Sequence, residues 1–159
     1  MAMPEDASLE RVIECAEPAE TSTLGLALAS AARPGDLICL WGDLGAGKTH
    51  LAKAIGAGLG VTETMASPSY ILMAEYAGRV PLFHLDLYRL ADAADVLAGG
   101  LIDDRQAAGL TIVEWPDRMA AVLPAERLDV RIAGAGDAPR TIAVRAGSAA
   151  LRRYLDVIP

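Results

Sequence analysis

The sequence predicts an α/β fold, a mixed and mostly parallel sheet flanked by helices. Three observations carry this. Leu37–Trp41 is a continuous apolar run, the pattern of a strand buried on both faces of a parallel sheet, and Leu110–Trp115 is another apolar strand. A glycine loop and a helical pattern follow the first run directly. The apolar fraction, 53% of 159 residues with 22% charged, supplies a core for one domain and leaves little room for two.

Taken in order, Arg11–Cys15 alternates as a short strand, and Thr21–Ala32 carries Leu24, Ala27, Leu28 and Ala31 at helical spacing until Arg33-Pro34-Gly35 stops it. Leu37–Trp41 is the next strand. Gly42–Gly47 is a loop, and Lys48–Leu59 is a helix closed by Gly60. Tyr70–Tyr76 and Arg79–Tyr88 read as a hairpin across Ala77-Gly78. Short helices are expected at Asp92–Leu97 and Asp103–Ala108. Leu110–Trp115 is a strand, and Pro116 begins a new element. Glu126–Ile132 and Arg140–Val144 form a second hairpin, and Ser148 is a candidate N-cap for a terminal helix over Ser148–Leu155.

Composition excludes several classes. A net charge of −7 and 4% aromatics argue against a protein that grips nucleic acid through phosphates and base stacking. The first 20 residues carry six acids and one arginine, the wrong sign for a secretory or transit segment. The longest membrane candidate, Leu24–Ala32, is too short to span. Cys15 and Cys39 lie in apolar runs and read as buried free thiols. A cytoplasmic location is expected. Residues 127–159 hold six arginines and three acids, read as either a solvated final segment or a weakly basic face.

One motif carries chemistry. Gly42-Asp43-Leu44-Gly45-Ala46-Gly47-Lys48-Thr49 satisfies G-x-x-x-x-G-K-[ST] between a strand and a helix. Backbone N–H groups of such a loop converge on a phosphate chain, and the helix that follows adds its positive end. Lys48 reaches the β- and γ-phosphates, and the Thr49 hydroxyl ligates Mg²⁺. Lys48 is one of only two lysines in the chain, so it is not drawn from a lysine-rich background. Asp86 and Glu114 each end an apolar strand, where ligands of open α/β sheets bind, and an acid there is costly without a role. His84 shares the Asp86 strand face and is read as supporting Asp86 or the nucleotide, or as a satisfied core histidine. Trp115 shields the site or is core. The chain has no asparagine, so the Asn-Lys-x-Asp guanine signature is absent and ATP is favoured.

These residues, with Ser67-Pro68-Ser69-Tyr70, His84-Leu85-Asp86-Leu87-Tyr88-Arg89 and Val113-Glu114-Trp115-Pro116, resemble the TsaE family in motif order from Gly42 to Pro116. That family is the ATPase component of bacterial threonylcarbamoyladenosine tRNA modification. The resemblance implies a single P-loop ATPase domain over 1–159 that binds ATP and Mg²⁺ and hydrolyses ATP slowly alone. It implies partners like TsaB and TsaD, the second of which performs the transfer, with tRNA touched only through the complex and no membrane role. By position, Lys48, Asp86 and Glu114 are catalytic, Gly42–Thr49 hold the phosphates, and Thr49 and Glu114 hold Mg²⁺. Ser67–Tyr70 is the expected γ-phosphate switch, and Glu20 and Arg140 approach the nucleotide. Ser69 and His50 stand where the family usually has threonine. Two other readings of the same motif are a nucleotide-gated binding module and a small-molecule kinase. The second needs an arginine-bearing lid, and Leu90–Gly109 carries Arg105 alone among several acids.

Overall fold

The computed structural model describes residues 9–66, 68, 72–99 and 104–159. Seven strands form one sheet in the order β1-β7-β6-β2-β5-β4-β3, with β1 Glu10–Cys15, β2 Leu37–Trp41, β3 Met73–Tyr76, β4 Leu82–Asp86, β5 Leu110–Glu114, β6 Leu128–Ala133 and β7 Arg140–Ala146. The central strands β6, β2, β5 and β4 run parallel, while β7, β1 and β3 are antiparallel additions at the two edges. The sheet is therefore mixed, as the sequence predicts, with the parallel strands where burial is deepest. Every residue of β4 and β5 is buried, the polar His84, Asp86, Thr111 and Glu114 included.

Helices α1 (Pro18–Ala31) and α2 (Lys48–Gly58) cover one face, where Leu24 and Leu28 pack with Leu51, Ile55, Ile38, Leu40 and Val130. The short helix α3 (Ala93–Ala98) and the 3₁₀ segment Pro116–Val122 cover β4 and β5 from the other side through Phe83, Leu85, Val96, Val113 and Met119. Asp92 caps α3 by accepting from the Asp95 N–H at 3.1 Å.

Helices α1 and α2 pack backbone to backbone. A Cβ placed on Gly25 would lie 2.4 Å from the Ala54 Cβ, and one on Gly58 would lie 2.5 Å from the Ala29 Cβ. Small residues at these positions set the spacing of the two helices that flank the glycine loop.

Several boundaries differ from the sequence reading. Helix α1 begins at Pro18, three residues before Thr21, because proline at the first position lacks only an N–H that a helix start leaves unpaired anyway. The β3–β4 connection is five residues, since Tyr76 pairs with Leu82. Arg79 leaves the ladder there to donate to the Ala29 and Ala32 carbonyls at 2.7 and 3.2 Å. The terminal segment is a 3₁₀ turn, Ala149–Arg152, continued by α4 (Arg153–Asp156). Ser148 occupies the cap position but makes no cap bond; its hydroxyl donates to Glu126 at 3.0 Å. Cys15 and Cys39 are free and buried.

Several arginines of the last 33 residues make contacts within the fold. Arg153 donates to the Ala31 carbonyl at 2.9 Å and pairs with Asp36, which also accepts from the buried Tyr154 hydroxyl. Arg127 pairs with Asp129 at 3.0 Å, and Arg131 lies 4.5 Å over the Trp41 ring. Among the described residues, no helix is long and apolar enough to cross a membrane.

Candidate functional site

The carboxyl ends of β2, β4 and β5 converge on the loop that leaves β2. Gly45 and Gly47 have φ of +81° and +106°, and a Cβ on either would meet nothing within 4 Å. The left-handed conformation, and not crowding, requires glycine at both positions. The Ala46 N–H donates back to Asp43 at 3.0 Å, closing the turn. Helix α2 starts at Lys48 with no side-chain cap, so its first-turn N–H groups point into the groove above the loop.

The loop is braced from outside. Arg140, at the start of β7, donates from Nε to the Ala46 carbonyl at 2.8 Å and from a terminal nitrogen to Gly45 at 3.4 Å and Gly136 at 3.0 Å. Glu20 accepts from the Ala16 N–H at 2.9 Å.

Lys48 lies almost fully buried at 5% exposure. Its ammonium donates to the Gly42 and Asp43 carbonyls and sits 3.8 Å over the Trp115 ring. Burial pulls its pKa below the ordinary lysine value, against the opposing pull of Glu114, Asp86, Asp117 and Asp43. A buried cation of this kind is complementary to an anion placed above the loop.

Asp86 and Glu114 are register partners at the ends of the adjacent parallel strands β4 and β5, both nearly buried. The Thr49 hydroxyl lies 2.8 and 3.1 Å from the two oxygens of Glu114. Asp86 accepts from the Tyr88 N–H at 3.0 Å, which fixes the strand exit. His84 is fully buried, and its Nε2 lies 2.6 Å from Glu114 Oε2. The histidine that shares a strand face with Asp86 thus bonds to Glu114, across the strand pair.

Trp115 adopts a left-handed backbone, φ 59°, and its ring lies 4.9 Å from the Tyr88 ring. That conformation is costly for a bulky residue, roughly 1–3 kcal/mol, and it swings the indole over Lys48. Trp115 is part of the groove wall. Arg118, which the sequence reading passed over, lies beside it at 5.9 Å. A basic residue in the turn after a strand-end acid was the available signal.

Two cavities meet at Ala46, Gly47 and His50. One of about 300 Å³ is lined by residues 44–50 with Asp86, Tyr88, Glu114 and Trp115. The other, about 730 Å³, runs between the β1–α1 turn, Ala46–Gly47 and the segment 136–140 before β7. The His50 ring stands at their junction, with Nε2 2.9 Å from Ser22 Oγ and 3.2 Å from the Pro18 carbonyl. Of the expected switch Ser67–Tyr70, only Pro68 lies within the described residues.

The donor set suits Mg²⁺ held jointly with a phosphate. A hydroxyl and a carboxylate are hard oxygen ligands of the kind this ion takes a few of at a time. Among the described residues, no group of three His, Cys, Asp or Glu side chains would hold a metal on its own.

Comparison with known proteins gives a consistent result. Residues 15–142 match the family model described as threonylcarbamoyl adenosine biosynthesis protein TsaE. The chain is 41% identical over 126 residues to the tRNA threonylcarbamoyladenosine biosynthesis protein TsaE of Bacillus subtilis, covering 79% of this chain and 78% of that protein. It is 34% identical over 125 residues to the protein of the same name from Treponema pallidum, covering 79% and 93%. The crystal structure of Bacillus subtilis YdiB superposes with a TM-score of 0.76 at 32% identity, covering 92% of each chain.

Proposed function

The chain belongs to the TsaE family of tRNA threonylcarbamoyladenosine biosynthesis, built on a P-loop nucleotide-binding fold, and from that premise we propose that it is the Mg²⁺-dependent, ATP-hydrolysing component of that machinery. It acts in the cytoplasm as a single P-loop ATPase domain with TsaB-like and TsaD-like partners. The partner carries out the threonylcarbamoyl transfer and brings the tRNA.

The observation that carries this reading is the Thr49 hydroxyl 2.8 Å from Glu114, with Asp86 alongside, at the mouth of a glycine loop that also holds Lys48. Residues Gly42 to Thr49 cradle the phosphates: the free N–H groups of the loop and helix start bind the oxygens, and Lys48 neutralises charge as it moves toward the β–γ bridge. Thr49 and Glu114 would hold Mg²⁺, which would supply charge neutralisation at the phosphates. Asp86, with Glu114, orients a water in line with the β–γ bond. Trp115 and Tyr88 wall the groove from solvent. The larger cavity, contiguous with the first at Gly47 and His50, has room for the nucleoside.

Two strand-end acids beside the phosphate groove support turnover over a purely nucleotide-gated module. No arginine is among the described residues lining that groove. This supports a slow lone protein, with the developing charge stabilised from a partner's side. Binding titrations with ATP and Mg²⁺ test the site: Lys48→Ala is expected to lose affinity at least tenfold and turnover with it. A Lys48→Ala variant with wild-type turnover would refute the assignment.

A further inference from the structure

His84 stands in the middle of β4 with none of its surface exposed, on the face where Leu82, Leu110 and Ile112 join the core under α1 and α2. A histidine kept there for packing alone is expected to have both ring nitrogens satisfied. His84 does not. Its Nδ1 has no hydrogen-bond partner among the described residues, while Nε2 lies 2.6 Å from Glu114 Oε2. With Glu114 as the acceptor the ring donates through Nε2, and this is the one hydrogen bond the ring makes among the described residues.

The same carboxylate faces Thr49, whose Oγ1 lies 2.8 and 3.1 Å from its two oxygens. A hydroxyl has one proton and two lone pairs. With the proton donated to Glu114, both lone pairs of Thr49 turn to the groove. That orientation lasts only while Glu114 stays an acceptor in this rotamer. The Nε2 of His84 holds Oε2 of Glu114 at 2.6 Å from the buried strand β4.

We infer that His84 is a positioning residue that locks Glu114 so that Thr49 presents its lone pairs to a divalent cation bound with the nucleotide phosphates. The inference rests on the reading of Thr49 and Glu114 as the Mg²⁺ holders. Outer-sphere partners of metal-site carboxylates and imidazoles typically matter tenfold to a hundredfold in metal affinity.

The test is the binding of a non-hydrolysable ATP analogue, AMP-PNP, by calorimetry in EDTA and across a MgCl₂ series. The full chain is compared with His84→Leu, His84→Asn and His84→Gln. Glutamine carries an amide N–H at the reach of Nε2, and asparagine does not. Leucine and asparagine are expected to raise the Mg²⁺ concentration for half-maximal tightening at least tenfold, with affinity in EDTA unchanged within about twofold. Glutamine is expected to recover most of that shift. If the leucine variant fails to fold, the contrast between glutamine and asparagine carries the test. Variants that all follow the wild type across the MgCl₂ series, or that lose affinity equally with and without Mg²⁺, would overturn the inference. A wild-type chain whose binding ignores Mg²⁺ would overturn the parent reading, and this inference with it.

Discussion

Replacing Gly25 by alanine sets two effects of opposite sign against each other. Alanine in a helix interior is favoured over glycine by about 1 kcal/mol. The added Cβ, however, would sit 2.4 Å from the Ala54 Cβ and 3.1 Å from two Ala54–Ile55 backbone atoms. Carbon atoms in contact prefer about 3.5–4.0 Å. Helices α1 and α2 must therefore part by more than an ångström along a seam that also holds Leu24, Leu28, Leu51 and Ile55. Overpacking of this kind costs about 1–3 kcal/mol. The clash involves backbone, which cannot swing aside, so the upper half of that range applies and Gly25→Ala is destabilising by roughly 1–2 kcal/mol net. Urea unfolding reads this directly. The swap Gly25→Ala with Ala54→Gly removes the nearest carbon and is expected to recover at least half of the loss, a positive coupling between the two sites. A single variant at or above wild-type stability, or a swap that is merely additive, would refute the close packing. Because Ser22 on α1 touches His50 on α2, the single variant should also weaken ATP binding severalfold.

Three further outcomes follow from the geometry. Asp86→Asn is expected to keep ATP affinity within severalfold and lose turnover by about 10²-fold or more, read as ADP release beside a binding titration; retained turnover would remove Asp86 from the chemistry. Burial, with Asp129 adding to it, pushes the Cys39 thiol up to about 12, and burial raises Cys15 as well, so a disulfide reagent at pH 8 should find neither thiol until the protein unfolds. In the unfolded chain Cys39 ionises near 9, so its contribution to stability is intact below that pH and is lost as pH rises toward about 12. Alkaline urea melts should show a shallower decline for Cys39→Ala, and an identical decline would contradict the burial. Tyr154→Phe removes a buried donor to Asp36, which keeps its bonds from Arg153 and from the Arg33 N–H at 2.9 Å. The expected loss is about 1–2 kcal/mol, several degrees in the thermal midpoint, and an unchanged melt would mean the hydroxyl is dispensable.

What was legible in the sequence is what local chemistry dictates. The loop from Gly42 to Thr49 needs particular residues at fixed spacing, and β2 announces burial on both faces by an unbroken apolar run. Asp86 and Glu114 stood out as acids at the ends of apolar strands. What was not legible depends on which strands become neighbours. His84 shares a face with Asp86, but its hydrogen bond goes to Glu114, and only the parallel pairing of β4 with β5 brings that oxygen within 2.6 Å. Ser148 has the residue type and position of a cap, yet Glu126 at the start of the neighbouring segment takes its hydroxyl. Nor does a sequence say that Arg140 will reach the carbonyl of a loop residue 94 positions away. Pro18 is a first-turn signal for α1, although the apolar spacing begins later.

The most direct test of the central claim is ATP hydrolysis by the purified chain, alone and with a TsaB–TsaD pair, with Lys48→Ala as the control. Slow turnover alone, well below about ten per second, raised by the pair and abolished by the substitution, is the predicted result. Turnover that ignores the pair, or that survives in Lys48→Ala, would contradict it.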